Sequence, residues 1–217
     1  LMDYGKVLCH YDYSWFTWGY AAVFGQTPPP NAVAELEQLR PPFESGEMAE
    51  GDFFQLACRH LNLAPEDRNL FESAWSNIVR LNDDMVALTR RAIAQDGWAM
   101  SIVSNIDPIM VRNTRDRLGL NDLFDGGVYS FLDGVRPKHE DGSMWRMARQ
   151  SCANRLGTEP VLTLAVDDIA ANLNTAAKEP LVSQTIQFRN PYQWWYDLGA
   201  AGAYLPRVRR TTSRAQA

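Results

Sequence analysis

Apolar positions recur at helical spacing through the first half of the chain. Ala32, Val33, Leu36 and Leu39 share one face, as do Phe53, Phe54, Ala57 and Leu61, and then Leu70, Phe71, Ala74, Trp75 and Ile78. The spacing predicts an all-α block over 32–97, whose last helix runs from Asp83 to Gln95, with Gly97 where a glycine would cap it. Beyond Gly97 short apolar runs alternate with helical patterns. Trp98 to Val103, Gly127 to Phe131, Val161 to Val166 and Gln184 to Phe188 read as strands. Between them Ile109 to Leu118, Met144 to Leu156 and Ala170 to Ala177 read as helices, the first two closed by Gly119 and Gly157. That alternation is the signature of a parallel sheet with crossover helices.

The stretch Leu1 to Cys9 is apolar but interrupted by Asp3 and Gly5, as where a buried strand runs out into a loop. Such a strand is either very short or begins before Leu1. The expected fold class is therefore α/β, a Rossmann-like parallel sheet carrying an inserted all-α cap. The expected division is a core of 1–12 and 97–206, a helical cap of 13–96, and a basic, frayed tail over 207–217 with Arg207, Arg209, Arg210 and Arg214. Tyr11, Tyr13, Trp15, Phe16, Trp18, Tyr20 and Phe24 crowd the segment before Pro28-Pro29-Pro30, and could either fill the cap's interior or wall a pocket.

Composition narrows the function classes. With 217 residues, 46% of them hydrophobic, the chain can bury a sizeable core. Twenty-one Lys and Arg against 26 Asp and Glu give a formal charge of −5, which argues against a nucleic-acid-binding face and against a generic anionic membrane surface. Cys9, Cys58 and Cys152 are an odd number without ligand spacing, so neither a disulfide framework nor a zinc site is expected, and a cytoplasmic setting is the default. No run reaches the length of a membrane span and no leader pattern is present. The sequence opens at Leu1 without an initiator Met, which leaves room for natural residues before it. Nothing in it fixes an oligomeric state.

In open parallel sheets ligands bind at the carboxyl ends of the strands. The polar residues placed there are Asp3, Ser104 with Asn105, the loop Arg136-Pro137-Lys138, and Asp167 with Asp168. Three carboxylates at one edge repel unless a cation sits among them, and a hard divalent ion, Mg²⁺ for choice, is the economical solution. An Asp can then attack a phosphoryl group while a Ser hydroxyl and a Lys ammonium hold the phosphoryl oxygens. Each piece alone has an ordinary turn or capping role as its alternative. Their order at successive strand ends carries the argument.

On these residues the chain resembles the haloacid dehalogenase (HAD)-like hydrolases. The matching stretches are Met2-Asp3-Tyr4-Gly5-Lys6-Val7-Leu8, Val103-Ser104-Asn105, Gly134-Val135-Arg136-Pro137-Lys138 and Val166-Asp167-Asp168-Ile169-Ala170-Ala171-Asn172. The Asp3-Tyr4-Gly5-Lys6-Val7-Leu8 form, with Glu44-Ser45-Gly46-Glu47 and Trp75 in the cap, looks most like the branch holding sugar-phosphate phosphatases and the N-terminal phosphatase domain of soluble epoxide hydrolases. A looser resemblance, through Leu81-Asn82-Asp83 to Ser104-Asn105-Ile106, is to fungal proteins acting on terpenoid diphosphates. The resemblance implies a Mg²⁺-dependent phosphatase with Asp3 as nucleophile, Ser104 on the phosphoryl group and Lys138 neutralising charge. Asp3, Asp167, Asp168 and the Gly5 carbonyl would hold the metal.

Two departures stand out. Many phosphatases of this kind have a second Asp two residues after the nucleophile, as general acid and base; here that position is Gly5. The third motif usually reads Lys-Pro, and here either Arg136 or Lys138 takes the lysine's place, Lys138 being favoured. His10 and Asp12, with Asn105, Arg136, Trp15 and Trp18, are the candidates for contacting a small phosphorylated substrate. The rings nearby favour an organic, isoprenoid-like phosphate over a bare sugar phosphate. The alternatives are a catalytically weak binding or scaffold domain, motivated by Gly5 and the irregular third motif at Arg136-Pro137-Lys138, and a dehalogenase, against which Asp167-Asp168 argues.

Overall fold

The computed structural model describes residues 1–203 apart from 121, 122, 125 and 133. The predicted tail over 207–217 lies outside the described residues. In chain order the elements are β1 (Cys9–Tyr11), α1 (Ser14–Phe24), α2 (Ala32–Glu44), α3 (Glu50–Leu61), α4 (Arg68–Ser76), β2 (Val79–Leu81), α5 (Asp83–Ile93) and β3 (Ile102–Ser104). Then follow α6 (Pro108–Arg117), β4 (Gly127–Tyr129), α7 (Ser143–Leu156), β5 (Leu164–Asp167), α8 (Ala170–Ala176), β6 (Gln184–Gln187) and α9 (Pro191–Ala200).

The sheet is parallel and its middle is the chain's first three residues. β3 pairs with β4 and β5 with β6, while Met2 bridges both Ile102 of β3 and Val166 of β5. Val103 N donates to Met2 O at 2.8 Å and Asp3 N to Val166 O at 2.9 Å, giving the order β4, β3, segment 1–3, β5, β6. Met2, Val103, Ala165 and Val166 are all buried, as a sheet covered on both faces demands. The expected single apolar stretch 1–9 is thus divided. It leaves the sheet at Asp3, turns, and returns as β1, which pairs antiparallel with β2.

The cap helices α1 to α4 close over a nest of rings. Phe43 stacks on Phe53 with centroids 4.1 Å apart, and Phe53 and Phe16 meet Trp75 edge-on at 5.3 and 5.8 Å. Each such ring buried contributes about 1.5–3 kcal/mol, so this cluster is what holds the cap together. The prediction of an all-α block over 32–97 needs correction at its end. Val79–Leu81 forms a strand, and α5 packs against α9 rather than the cap helices. A three-residue strand reading Val-Arg-Leu is too short to express a period of two, so the helical pattern on either side masked it.

Several polar contacts join cap to core. Trp75 Nε1 donates to Asp107 Oδ2 at 3.0 Å, Arg117 donates to the Ser76 carbonyl at 2.8 Å, and Arg112 of α6 reaches Glu72 at 2.8 Å and Glu50 at 3.1 Å. Among the described residues no helix is long and apolar enough to cross a membrane.

Candidate active site

Asp3 ends the central strand and faces inward, only 6% exposed. Its Oδ1 accepts from Tyr4 N at 2.7 Å and lies 2.7 Å from Lys138 Nζ. Both donors crowd one oxygen, so among the described residues Oδ2 is without a hydrogen-bond partner. Burial pushes the Asp3 carboxyl up to about 7, Lys138 pulls against that, and Asp167 adds to it.

Lys138 is positioned by its backbone. Its N–H donates to Asn105 Oδ1 at 3.0 Å, and its carbonyl accepts from Thr175 Oγ1, so the loop before α7 is tied to both β3's end and α8. Nζ lies 2.6 Å from Asp167 Oδ2 and the side chain is buried. Burial works against the ammonium, but the two carboxylates hold it above its ordinary value. Asp167 is fully taken up: Asn172 Nδ2 donates to Oδ1 and Oδ2 at 3.0 and 3.1 Å, and Ile169 N donates to Oδ1 at 2.8 Å.

Asp168 faces the cavity instead, with Lys6 Nζ 3.9 Å away. Burial, with Asp167 adjoining, raises its carboxyl above the usual range. One oxygen each from Asp3, Asp167 and Asp168 lie within 4.8 Å of one another. All-oxygen, carboxylate-rich donors suit a hard divalent cation such as Mg²⁺, and Lys138, with the exposed Lys6 at 3.9 Å from Asp168, does not fully balance three carboxylates.

These groups open on a cavity of about 150 Å³. Ser104 and Asn105 line it at the end of β3, and Gly5 lines it beside Asp3. A Cβ at position 5 would meet nothing within 4 Å, so the backbone there leaves room for a side chain to start.

The remaining predicted contacts fall elsewhere. None of Arg136, His10, Asp12, Trp15 and Trp18 lines this cavity. Arg136 is exposed, because Asn105 draws Lys138 inward and Arg136, two residues earlier, stays outside. His10 is exposed since β1 alternates, turning Cys9 into the core and His10 away. Asp12 accepts from Ser14 N at 2.8 Å at the start of α1, Trp15 stacks under Arg80, and Trp18 is 67% exposed. Of the crowded rings only Tyr11 reaches the cavity wall, while Phe16 and Tyr20 fill the cap's interior.

Two lining carboxylates carried no predicted site role, Glu44 at the end of α2 and Asp107 before α6. Asp107 was recognisable as a helix-capping Asp-Pro, and Met110 N donates to its Oδ1 at 2.7 Å. Burial pushes it up to about 6, against those hydrogen bonds. Glu44 belongs to a stretch that sequence alone tied only to a family branch.

No family model and no curated protein matches the chain. Solved structures do. A HAD-family enzyme, BT-2542 from Bacteroides thetaiotaomicron in a magnesium complex, superposes with a TM-score of 0.67 at 14% identity, over 91% of this chain and 96% of that one. The chain has the HAD-like fold. A HAD-like family hydrolase from Porphyromonas gingivalis follows the same path at a TM-score of 0.64 and 19% identity, over 94% and 96% of the two chains. The L-2-haloacid dehalogenase from Xanthobacter autotrophicus is more distant, at 0.53 and 16%, over 92% and 81%. The HAD-like fold accounts for the parallel sheet and for the helical cap inserted after its first strand.

Proposed function

We propose that this HAD-like chain is a Mg²⁺-dependent phosphohydrolase that cleaves the phosphate monoester of a small organic molecule through an aspartyl-phosphate at Asp3. The observation that carries the reading is the pairing of Lys138 with Asp3 Oδ1, which leaves Oδ2 unpartnered at the cavity wall. Oδ2 would attack phosphorus while Lys138 favours the ionised form of Asp3 against its burial and offsets charge on the transferring group. Ser104 Oγ and Asn105 line the same wall, with donors for the phosphoryl oxygens. Asp3 and Asp168, with Asp167 behind them, would hold Mg²⁺, which when bound supplies positive charge to the phosphoryl oxygens. The related Bacteroides structure in complex with magnesium and inorganic phosphate supports the reading at the level of the fold.

For the substrate, the volume favours a compact group. Pockets for larger ligands run to about 300–1,000 Å³, and this cavity is about 150 Å³. Tyr11, Val79, Ile106 and Met110 give it an apolar side that suits a hydrophobic organic group near the phosphate. An isoprenoid-length chain would require the cap to part from the core. The unit that moves would be the helical segment between β1 and β2.

Gly5 favours a second reading, a catalytically weak domain that binds phosphate without turnover. Rapid acid quenching during turnover, followed by peptide mapping, separates the two. A phosphoryl group on the peptide carrying Asp3 supports the enzyme, whereas Mg²⁺ and phosphate binding with no covalent adduct supports the binding domain.

A further inference from the structure

Cleaving an alkyl phosphate expels an alkoxide, which needs a proton as it leaves. Among the described residues the cavity offers few candidates. Lys138 is committed to Asp3 and Asp167, Asp168 sits with the carboxylates suited to a cation, and Lys6, largely exposed, is paired with Asp168 at 3.9 Å. Asp107 uses both oxygens, Oδ1 for Met110 N and Oδ2 for Trp75 Nε1. The Tyr11 hydroxyl donates to Tyr13 and accepts from Arg40 at 2.7 Å. Glu44 is different.

Its carboxyl lines the cavity and receives no hydrogen bond from any described residue. Arg40 Nε lies 3.3 Å from Oε1 but is not aligned as a donor, since the guanidinium is turned toward Tyr11 and Tyr13. The main chain at Glu44 is nevertheless fixed to the core. Its carbonyl accepts from Ser130 Oγ, which in turn accepts from Ile106 N at 3.2 Å, next to Ser104 and Asn105. Two residues on, Gly46 has φ +78°, and a Cβ there would stand 2.9 Å from the Phe131 carbonyl oxygen, so the loop after α2 lies flat on the core.

We propose that Glu44 is the general acid and base of this site, delivering from the cap the proton that Gly5 cannot supply. The inference rests on the phosphohydrolase reading above. As Asp3 Oδ2 bonds to phosphorus, the bond from phosphorus to the leaving oxygen breaks, and that oxygen takes its electron pair and the Glu44 proton, giving an alcohol and a Glu44 carboxylate. In the second half, Glu44 takes a proton from water as the water oxygen attacks phosphorus. The bond to Asp3 breaks, restoring its carboxylate and releasing inorganic phosphate. The groups facing Glu44 suit both roles: Arg40 and Tyr13 from the cap, Tyr11 from β1, and Asp3, Asp107 and Lys138 from the core. Burial pushes its carboxyl up to about 8, partly offset by Arg40, with Asp107 and Asp3 adding to the rise.

The test compares an aryl phosphate, whose leaving group departs without a proton, with an alkyl phosphate. Glu44→Gln is expected to lower kcat/KM, which reports the first half alone, by about 10²–10³ for the alkyl ester, with a loss at least tenfold smaller for the aryl ester. Adding Gly5→Asp to Glu44→Gln, where the backbone leaves room for a side chain to start, is expected to recover alkyl turnover. In the unaltered protein alkyl kcat/KM is expected to fall as pH rises past about 8 while aryl kcat/KM does not, a readout no folding defect of a variant reaches. Equal losses on both esters, or an unchanged alkyl rate, would overturn the assignment while leaving the phosphohydrolase reading intact. No turnover of either ester by the unaltered protein would overturn that reading itself.

Discussion

Lys138 Nζ lies 2.7 Å from Asp3 Oδ1, joining a loop residue to the chain's third residue in a setting where both are buried. With Asp167 2.6 Å away on the other side, the ammonium is shared by two carboxylates. Removing one member of a buried ion cluster leaves the others uncompensated.

Lys138→Ala is therefore expected to cost about 3–5 kcal/mol of stability and to lower any turnover by at least about a hundredfold. Arg136→Ala, two residues away and exposed, is expected to change neither by a measurable amount. Urea unfolding and phosphate release on the two variants check the contrast.

Cap and core are tied by the hydrogen bond from Trp75 Nε1 to Asp107 Oδ2 at 3.0 Å. Trp75→Phe keeps most of the packed ring area but leaves a buried carboxylate oxygen without its donor. The expected loss is about 1–3 kcal/mol, read by thermal or urea unfolding. A loss below a few tenths would mean that Asp107 finds another partner.

Gly46→Ala places a methyl against the Phe131 carbonyl at a left-handed backbone position. Strain there costs about 1–2 kcal/mol before any steric contact is counted. The variant is expected to be destabilised, and to lose alkyl kcat/KM more than aryl kcat/KM because Glu44 shifts with the loop.

Glu44 also makes a pH prediction for stability. Its folded carboxyl, pushed up to about 8 from an ordinary 4.5, binds its proton more tightly than the unfolded chain does. That contribution is full below the unfolded value and is lost as pH rises through the folded one. Asp3 and Asp107, raised to about 7 and about 6, act in the same sense and remain in a Glu44→Gln variant. Between about pH 5 and pH 9 the Tm of the unaltered protein should fall further than that of Glu44→Gln. Parallel curves would place the proton elsewhere.

How much of this was legible in the sequence follows from where each residue lies. Asp3, Ser104, Lys138 and Asp167-Asp168 stand just after apolar runs, and a parallel sheet brings such positions to one edge whatever their separation along the chain. Glu44 reaches the same cavity by another route, the closure of a cap onto the core, which no local period encodes, whereas Asp107 lies in the loop just after Ser104 and is within reach of the strand-end argument. The aromatic segment failed for a related reason. α1 is apolar nearly all round, so periodicity could not tell Phe16, which is buried, from Trp18, which is exposed. β1 and β2 pair over only three residues each, with His10 opposite Arg80, and left no hydrophobic alternation to read.

The most direct test of the central claim is phosphate release from a generic aryl phosphate, with and without Mg²⁺, by the unaltered protein and by Asp3→Asn. The account predicts metal-dependent release that vanishes in the variant. Release that persists in Asp3→Asn, or none from the unaltered protein under any metal, would contradict it.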